Sequence, residues 1–167
     1  VEAIAVDASN VFVGGLFNSI GGVTRFNLAK VSKATGIVDG TWNPGTDEKV
    51  FDLTISGTTL YVSGNFHTLG GVTRNFTGAV TTSTGAVTTW NPDPDYVVLK
   101  VKPYDAKTVY IAGAFLNVAG WQTGTAAAVD PVFGDVQAWF PILNDGTYDI
   151  LPDATRVYPG HEYLERN

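Results

Sequence analysis

Apolar and polar residues alternate along short runs of this chain, and each run is closed by glycine, proline or a small polar residue. Val97, Leu99 and Val101 fall on one side of such a run, with Val98, Lys100 and Lys102 on the other. That is the period of a half-buried strand. No window of ~11 residues sustains the 3.6-residue period of an amphipathic helix. Four runs of strand type follow one another at Val50–Ser56, Thr59–Phe66, Asn75–Thr82 and Ala86–Trp90. Four more follow at Tyr96–Lys102, Thr108–Phe115, Thr125–Val129 and Val136–Trp139.

The two sets are copies of one unit. Gly15, Gly64 and Gly113 stand 49 residues apart, each followed two residues later by Phe17, Phe66 or Phe115. Gly36, Gly85 and Gly134 keep the same spacing, and Trp42, Trp90 and Trp139 follow them by six, five and five residues. Gly21-Gly22-Val23-Thr24-Arg25 matches Gly70-Gly71-Val72-Thr73-Arg74, whereas the third copy reads Ala119-Gly120-Trp121-Gln122-Thr123. The punctuation has physical causes. Gly57 allows the first hairpin to turn, and Gly36, Gly85 and Gly134 supply positive φ between the third and fourth runs. Pro44, Pro92 and Pro141 cannot donate to a ladder and so stop the fourth run.

A period of ~40–50 residues holding four strands is the sequence signature of a propeller blade. A β-sandwich would not account for the repeat. The expected fold is therefore all-β, a β-propeller of about three and a half four-stranded blades built on a 49-residue repeat. The blades are placed at 1–44, 45–92 and 93–141, with a half blade over 142–167. In that last part Tyr158 and Gly160 carry the register on with a small shift. Closed propellers have roughly four to eight blades. The expectation is thus either one segment of a larger propeller or an arc that pairs with other copies.

Several of these segments look like a known family. Phe12-Val13-Gly14-Gly15-Leu16-Phe17 and Leu60-Tyr61-Val62-Ser63-Gly64-Asn65-Phe66, with the Gly-Gly loop, Thr-Gly and Trp-Asn-Pro, carry the likeness. They resemble the tandem propeller repeats of bacterial cell-surface proteins, the delta-sixty-type repeats, akin to kelch and quinoprotein-like blades. The resemblance covers nearly the whole chain. It implies a fold and an extracellular or cell-surface location, and it is silent about the ligand.

Composition narrows the partners. Ten basic residues face sixteen acidic ones for a net charge of −6, and no Lys/Arg cluster offers a surface to nucleic acid. The absence of cysteine removes disulfides and thiolate metal sites. No apolar run reaches the ~20 residues of a membrane-spanning helix.

The candidate chemistry lies where the copies differ and in the connections between blades. Trp121 stands where the other copies have Val23 and Val72, and with Gln122 it makes a candidate contact surface for sugar or protein. Acidic residues gather between blades at Asp47 and Glu48, Asp93 and Asp95, and Asp145 and Asp149. Asp93-Pro94-Asp95 comes nearest to an oxygen-rich calcium loop, but the Asp-x-Asp-x-Asp-Gly pattern is absent and solvated turn carboxylates are the preferred reading. Otherwise no cofactor is expected. Trp42, Trp90 and Trp139 recur once per blade, which argues for packing between blades rather than sugar stacking. Asn75-Phe76-Thr77 is a glycosylation sequon. His67 reads as a loop residue. The Pro159-Gly160-His161 segment resembles a metal-binding strand of glyoxalase-II-like hydrolases. That family needs a His-x-His-x-Asp-His cluster, and this chain holds only His67 and His161. A drifted blade strand is the expectation there.

No catalytic constellation emerges. The expected function is a non-catalytic extracellular or surface module whose loops bind a protein or glycan. A structural subunit that assembles through open blade edges is the first alternative. A glycan-active enzyme using Asp93 and Asp95 is the second, since paired carboxylates ~5–10 Å apart can perform that chemistry.

Overall fold

The computed structural model describes residues 1–139. The proposed half blade over 142–167, His161, Asp145 and Asp149 lie outside the described residues. Among the described residues there are fifteen β-strands and no helix. They fall into three units of one plan. The first holds β1 (Ala3–Val6), β2 (Asn10–Gly14), β3 (Ser19–Ile20), β4 (Val23–Thr24) and β5 (Leu28–Ser32). The second holds β6 (Val50–Ser56), β7 (Thr59–Gly64), β8 (Thr68–Leu69), β9 (Val72–Thr73) and β10 (Thr77–Thr81). The third holds β11 (Val98–Pro103), β12 (Val109–Gly113), β13 (Asn117–Val118), β14 (Trp121–Gln122) and β15 (Ala126–Val129).

In each unit the first, second and fifth strands form a three-stranded antiparallel sheet, and the short third and fourth strands form a separate ribbon. The ribbons turn through Gly21-Gly22, Gly70-Gly71 and Ala119-Gly120, with positive φ at both central residues. That is the condition of a type I′ hairpin.

The fourth run of each repeat shrinks to a single bridge: Val31 to Val38, Val80 to Val87 and Val129 to Val136. Side chains and local turns divert the backbone donors that a longer strand would use. Thr41 N and Trp42 N donate to Asp39 Oδ1 at 2.9 and 3.1 Å, and Trp90 N donates to Thr88 Oγ1. Those backbone hydrogen bonds and that from Thr41 Oγ1 hold the Asp39 carboxyl well below the ordinary aspartate range.

The expected alternation over 97–102 is corrected by a β-bulge. The pairing of β11 with β12 shifts between Val98 and Lys100, and that of β6 with β7 shifts between Val50 and Asp52. The extra residue brings Val98 and Val101 onto the same buried face, which a strict period of two would separate.

The core lies between the sheets. Phe12, Leu28 and Trp42 of the first unit pack with Val50, Leu53, Leu60, Val62, Phe66 and Leu69 of the second. Tyr61, Phe76, Ala79 and Trp90 of the second pack in the same way with the third. The first strands are neighbours, with β6 set between β1 and β11. Thr54 Oγ1 donates to Val101 O at 3.0 Å, and Val101 N donates to Asp52 Oδ2 at 3.1 Å.

Tryptophan joins the units, as its recurrence led us to expect. Trp42 meets Phe12 at 5.2 Å, Trp90 meets Tyr61 at 4.9 Å and Trp139 meets Tyr110 at 5.0 Å, all edge-on. Trp42 Nε1 donates to Thr81 O and Trp90 Nε1 to Asp130 O, each in the following unit. A ring of this size removes on the order of 200 Å² from water, about 5 kcal/mol as an upper bound. Among the described residues the three sheets do not close a ring.

Candidate functional site

The chain that leaves Trp42 and Trp90 crosses to the next unit and docks on its ribbon. Gly45 and Asp93 take positive φ three residues after Trp42 and Trp90, which turns the connection. Thr46 then bridges to Leu69 and Pro94 to Val118. A carboxylate fixes each junction. Asp47 Oδ1 accepts from His67 N and Thr68 N at 2.9 and 2.8 Å. Asp95 Oδ1 accepts from Leu116 N and Asn117 N at 2.9 and 3.1 Å, and its Oδ2 from Asn117 Nδ2 at 2.7 Å. Partial burial alone would raise both carboxyls, but these hydrogen bonds outweigh it and hold them below the usual range.

The docking leaves a cleft at each junction. The first, about 310 Å³, is lined by Phe26, Gly45, Thr46, Asp47, Thr68 and Gly71. The second, about 680 Å³, is lined at the matching positions by Asn75, Asp93, Pro94, Asp95, Asn117 and Gly120, and by His67. The second is thus larger and carries Asn75 and Asp93 where the first has Phe26 and Gly45. Asn75 Nδ2 donates to Asp93 Oδ1 at 2.8 Å. With Asn117 and Asp95 this makes two amide–carboxylate pairs in one cleft.

Backbone strain gathers at the same place. Phe76 (φ 60°) and Asp93 (φ 51°) line the cleft, and Ala119 (φ 48°) adjoins Gly120. Such φ values are uncommon outside glycine, and strained residues tend to cluster at functional sites. At the first junction Gly45 replaces Asp93, and Asn27, at φ 63°, replaces Phe76. Asn27 can hold its turn with its own side chain, which accepts from Phe17 N and donates to Thr46 O. Phe76 has only ring contacts to offer there, to His67 at 4.9 Å and Tyr96 at 5.8 Å.

The sequence candidates separate accordingly. Asp93 and Asp95 share the second cleft, while Asp47 belongs to the first. Glu48 is exposed and accepts from Asn65 Nδ2. Trp121, 66% exposed, and Gln122 follow Gly120 on β14 and are not among the residues that line the second cleft. Both oxygens of Asp95 are already hydrogen-bonded, and among the described residues no group of three or more His, Cys, Asp or Glu comes together. Asn75 is half-buried with its amide held by Asp93, and the sequon residue Thr77 is fully buried. His67, Phe76 and Asn117 were not chosen from sequence. The signal was present, since His67 and Asn117 break the pattern set by Asn18 and Thr68.

Chemically, each amide–carboxylate pair places a donor beside a carboxylate acceptor, and His67 and Phe76, with Tyr96 against Phe76, supply rings beside them. That set suits a neutral, hydroxyl-rich ligand with an apolar face. Among the described residues no helix is long and apolar enough to cross a membrane. No protein-family model matches the sequence, and the comparison with curated proteins gives no match.

Proposed function

We propose that the chain is a segment of a β-propeller and acts as a non-catalytic binding module, taking a glycan in the cleft between the second and third units. The stacked sheets with neighbouring first strands support the propeller reading, for this is how blades sit around an axis. The resemblance of the repeat to bacterial surface proteins supports a setting outside the cell or at its surface.

One observation carries the binding reading. The repeat offers a smaller version of the cleft at the first junction, with Phe26 and Gly45 where the second junction holds Asn75 and Asp93. Those residues are not needed to join two units. The hydrogen bonds to Asp95 also argue against glycan cleavage by the Asp93–Asp95 pair. A carboxyl held below its ordinary range stays ionised and makes a poor general acid.

The repeat itself supplies the test. Asp93→Gly and Asn75→Phe install the residues of the first junction, so the fold is retained. Binding of wild type and variants to a glycan array, followed by calorimetry on the best glycan, reads the outcome. Loss of about tenfold or more per variant is expected from one charged hydrogen bond. Trp121→Val should weaken binding as well. Unchanged affinity in Asp93→Gly would remove the cleft from the reading. A wild-type protein that binds no glycan but captures a protein through Trp121 would favour the protein-partner alternative.

A further inference from the structure

The first strands of the second and third units are tied together by side chains. β11 is an edge strand of its sheet, so alternate residues turn their N–H and C=O away from β12. Such a residue presents a donor and an acceptor that its own sheet leaves unpaired. At Val101 the second unit takes both. The amide donates to Asp52 Oδ2 at 3.1 Å, and the carbonyl accepts from Thr54 Oγ1 at 3.0 Å. Asp52 and Thr54 stand two residues apart on β6, so both side chains leave the same side of the strand and grip one residue of its neighbour.

The pairing register identifies the same positions at the first junction. Asp52 pairs with Ser63 and Thr54 with Tyr61, as Ala3 pairs with Gly14 and Ala5 with Phe12. Val101, opposite Ile111, corresponds in the same way to Leu53, opposite Val62. Ala3 and Ala5 have no polar side-chain atom to give to Leu53. The polar side-chain link from β1 to the second unit is instead the ion pair of Glu2 Oε1 with Lys49 Nζ. Its side chains are 47% and 33% exposed, and exposed pairs contribute little. Of the two described junctions, the second alone carries the two-point clamp.

We infer that Asp52 and Thr54 are positioning residues for the second cleft: by clamping Val101 they hold the two walls of the cleft at a fixed separation. The inference rests on the reading of that cleft as a glycan site. Its walls belong to different units, with His67, Asn75 and Phe76 from the second and Asn117 and Gly120 from the third. A site built across two bodies keeps its shape while the bodies keep their spacing. Fixing that spacing before the ligand arrives lowers the ordering cost of binding. The clamp and the larger cleft also fall at the same junction, about 680 Å³ against about 310 Å³ where the alanines stand. Lys100 Nζ lies 3.4 Å from Asp52 Oδ1, but with its side chain 57% exposed it adds little to the clamp.

The first unit supplies the substitutions that test this. Asp52→Ala with Thr54→Ala installs the residues of β1, which the repeat already carries in a paired strand. Amide hydrogen exchange at Val101 should become about tenfold faster or more once its acceptor is gone. Spin labels read the spacing. The chain has no cysteine, and Thr24, Thr73 and Gln122 are exposed at equivalent places on the three ribbons. Labels on Thr24→Cys with Thr73→Cys report on the first junction, and labels on Thr73→Cys with Gln122→Cys report on the second, both without ligand. The alanine variant should broaden the second distance distribution and leave the first unchanged. Its affinity for the best glycan of the array, measured without labels, should fall about tenfold. Asp52→Asn with Thr54→Ser keeps an acceptor and a donor and should restore exchange, spacing and affinity.

A residue that merely stabilised the fold would loosen both junctions or neither. Equal broadening in the two label pairs would therefore overturn the inference. Unchanged exchange at Val101, a broadened second distance with affinity intact, or an Asn and Ser variant that behaves like the alanine one would overturn it as well. Failure of the glycan reading looks different. A wild type that binds no glycan removes that reading and the positioning role together, while exchange at Val101 and the label distances still decide whether the clamp holds the two units.

Discussion

The ribbon turn of the third unit carries a cost that one substitution should remove. Its first central residue is Ala119 at φ 48°, where the other units have Gly21 at 56° and Gly70 at 59°. A non-glycine residue in this left-handed region costs about 1–2 kcal/mol. Glycine gives back about 0.4–1 kcal/mol through the greater freedom of its unfolded chain. Ala119→Gly should therefore stabilise the protein by about 1 kcal/mol, or roughly 2–4 °C in melting temperature for a chain of this size. The reverse change separates backbone strain from crowding. A Cβ on Gly70 would stand 2.6 Å from Val87 Cγ2, while one on Gly71 (φ 76°) meets nothing within 4 Å. Gly71→Ala should cost only the backbone term, about 1 kcal/mol. Gly70→Ala adds the displacement of Val87 and should cost about 2–3 kcal/mol. Thermal and urea unfolding followed by circular dichroism would measure all three. A neutral or destabilising Ala119→Gly, or equal losses at Gly70 and Gly71, would refute the reasoning.

Further outcomes follow from the junctions. Asp39, Asp47 and Asp95 all have folded-state pKa values depressed by hydrogen bonds. Their contribution is therefore complete above the unfolded value of about 4 and is lost as pH falls through the folded values. Stability should be flat above about pH 5 and decline below about pH 4, as acid titration of the unfolding free energy would show. Asp95→Ala leaves the amides of Leu116 and Asn117 without their acceptor. It should cost about 1–3 kcal/mol at neutral pH and make the acid decline shallower. Trp90→Phe keeps a ring against Tyr61 but loses the 2.9 Å hydrogen bond to Asp130 O and part of the buried area. A loss of about 2–3 kcal/mol is expected in the same unfolding assay.

Why the sequence revealed some features and hid others has a physical basis in the type of interaction. The limits of β6, Val50–Ser56, were legible because side-chain alternation and the turn at Gly57 both mark them. Trp42 and Trp90 could be placed between units because a large ring recurring at a strand end needs a neighbouring layer. The bulge beside Val98 was hidden, since it is a backbone event that any residue type can adopt. The fourth strand was overestimated for a related reason. Valine at 38, 87 and 136 reads as strand, but local partners such as Asp39 Oδ1 and Thr88 Oγ1 take the donors after one bridge. Propensity does not register that competition.

The cleft shows how a repeat can locate a site that no motif marks. Asn75 and Asp93 are 18 residues apart, and Asp95 and Asn117 are 22 apart, so no local pattern joins either pair. They meet because each connection docks on the ribbon of the following unit, and the first junction shows what docking alone requires. A carboxylate at the position of Asp47 and Asp95 is part of that requirement, since both junctions use it to hold two ribbon amides. Asp93 is not, because glycine serves at the first junction without strain. The two acidic residues that the sequence presents as a pair thus separate into a structural latch and a ligand candidate. Within one chain, the unspecialised copy acts as the control for the specialised one. Asp93→Gly and Asn75→Phe are for this reason sharper tests than alanine: each exchanges one junction's chemistry for the other's while keeping a backbone the repeat already tolerates.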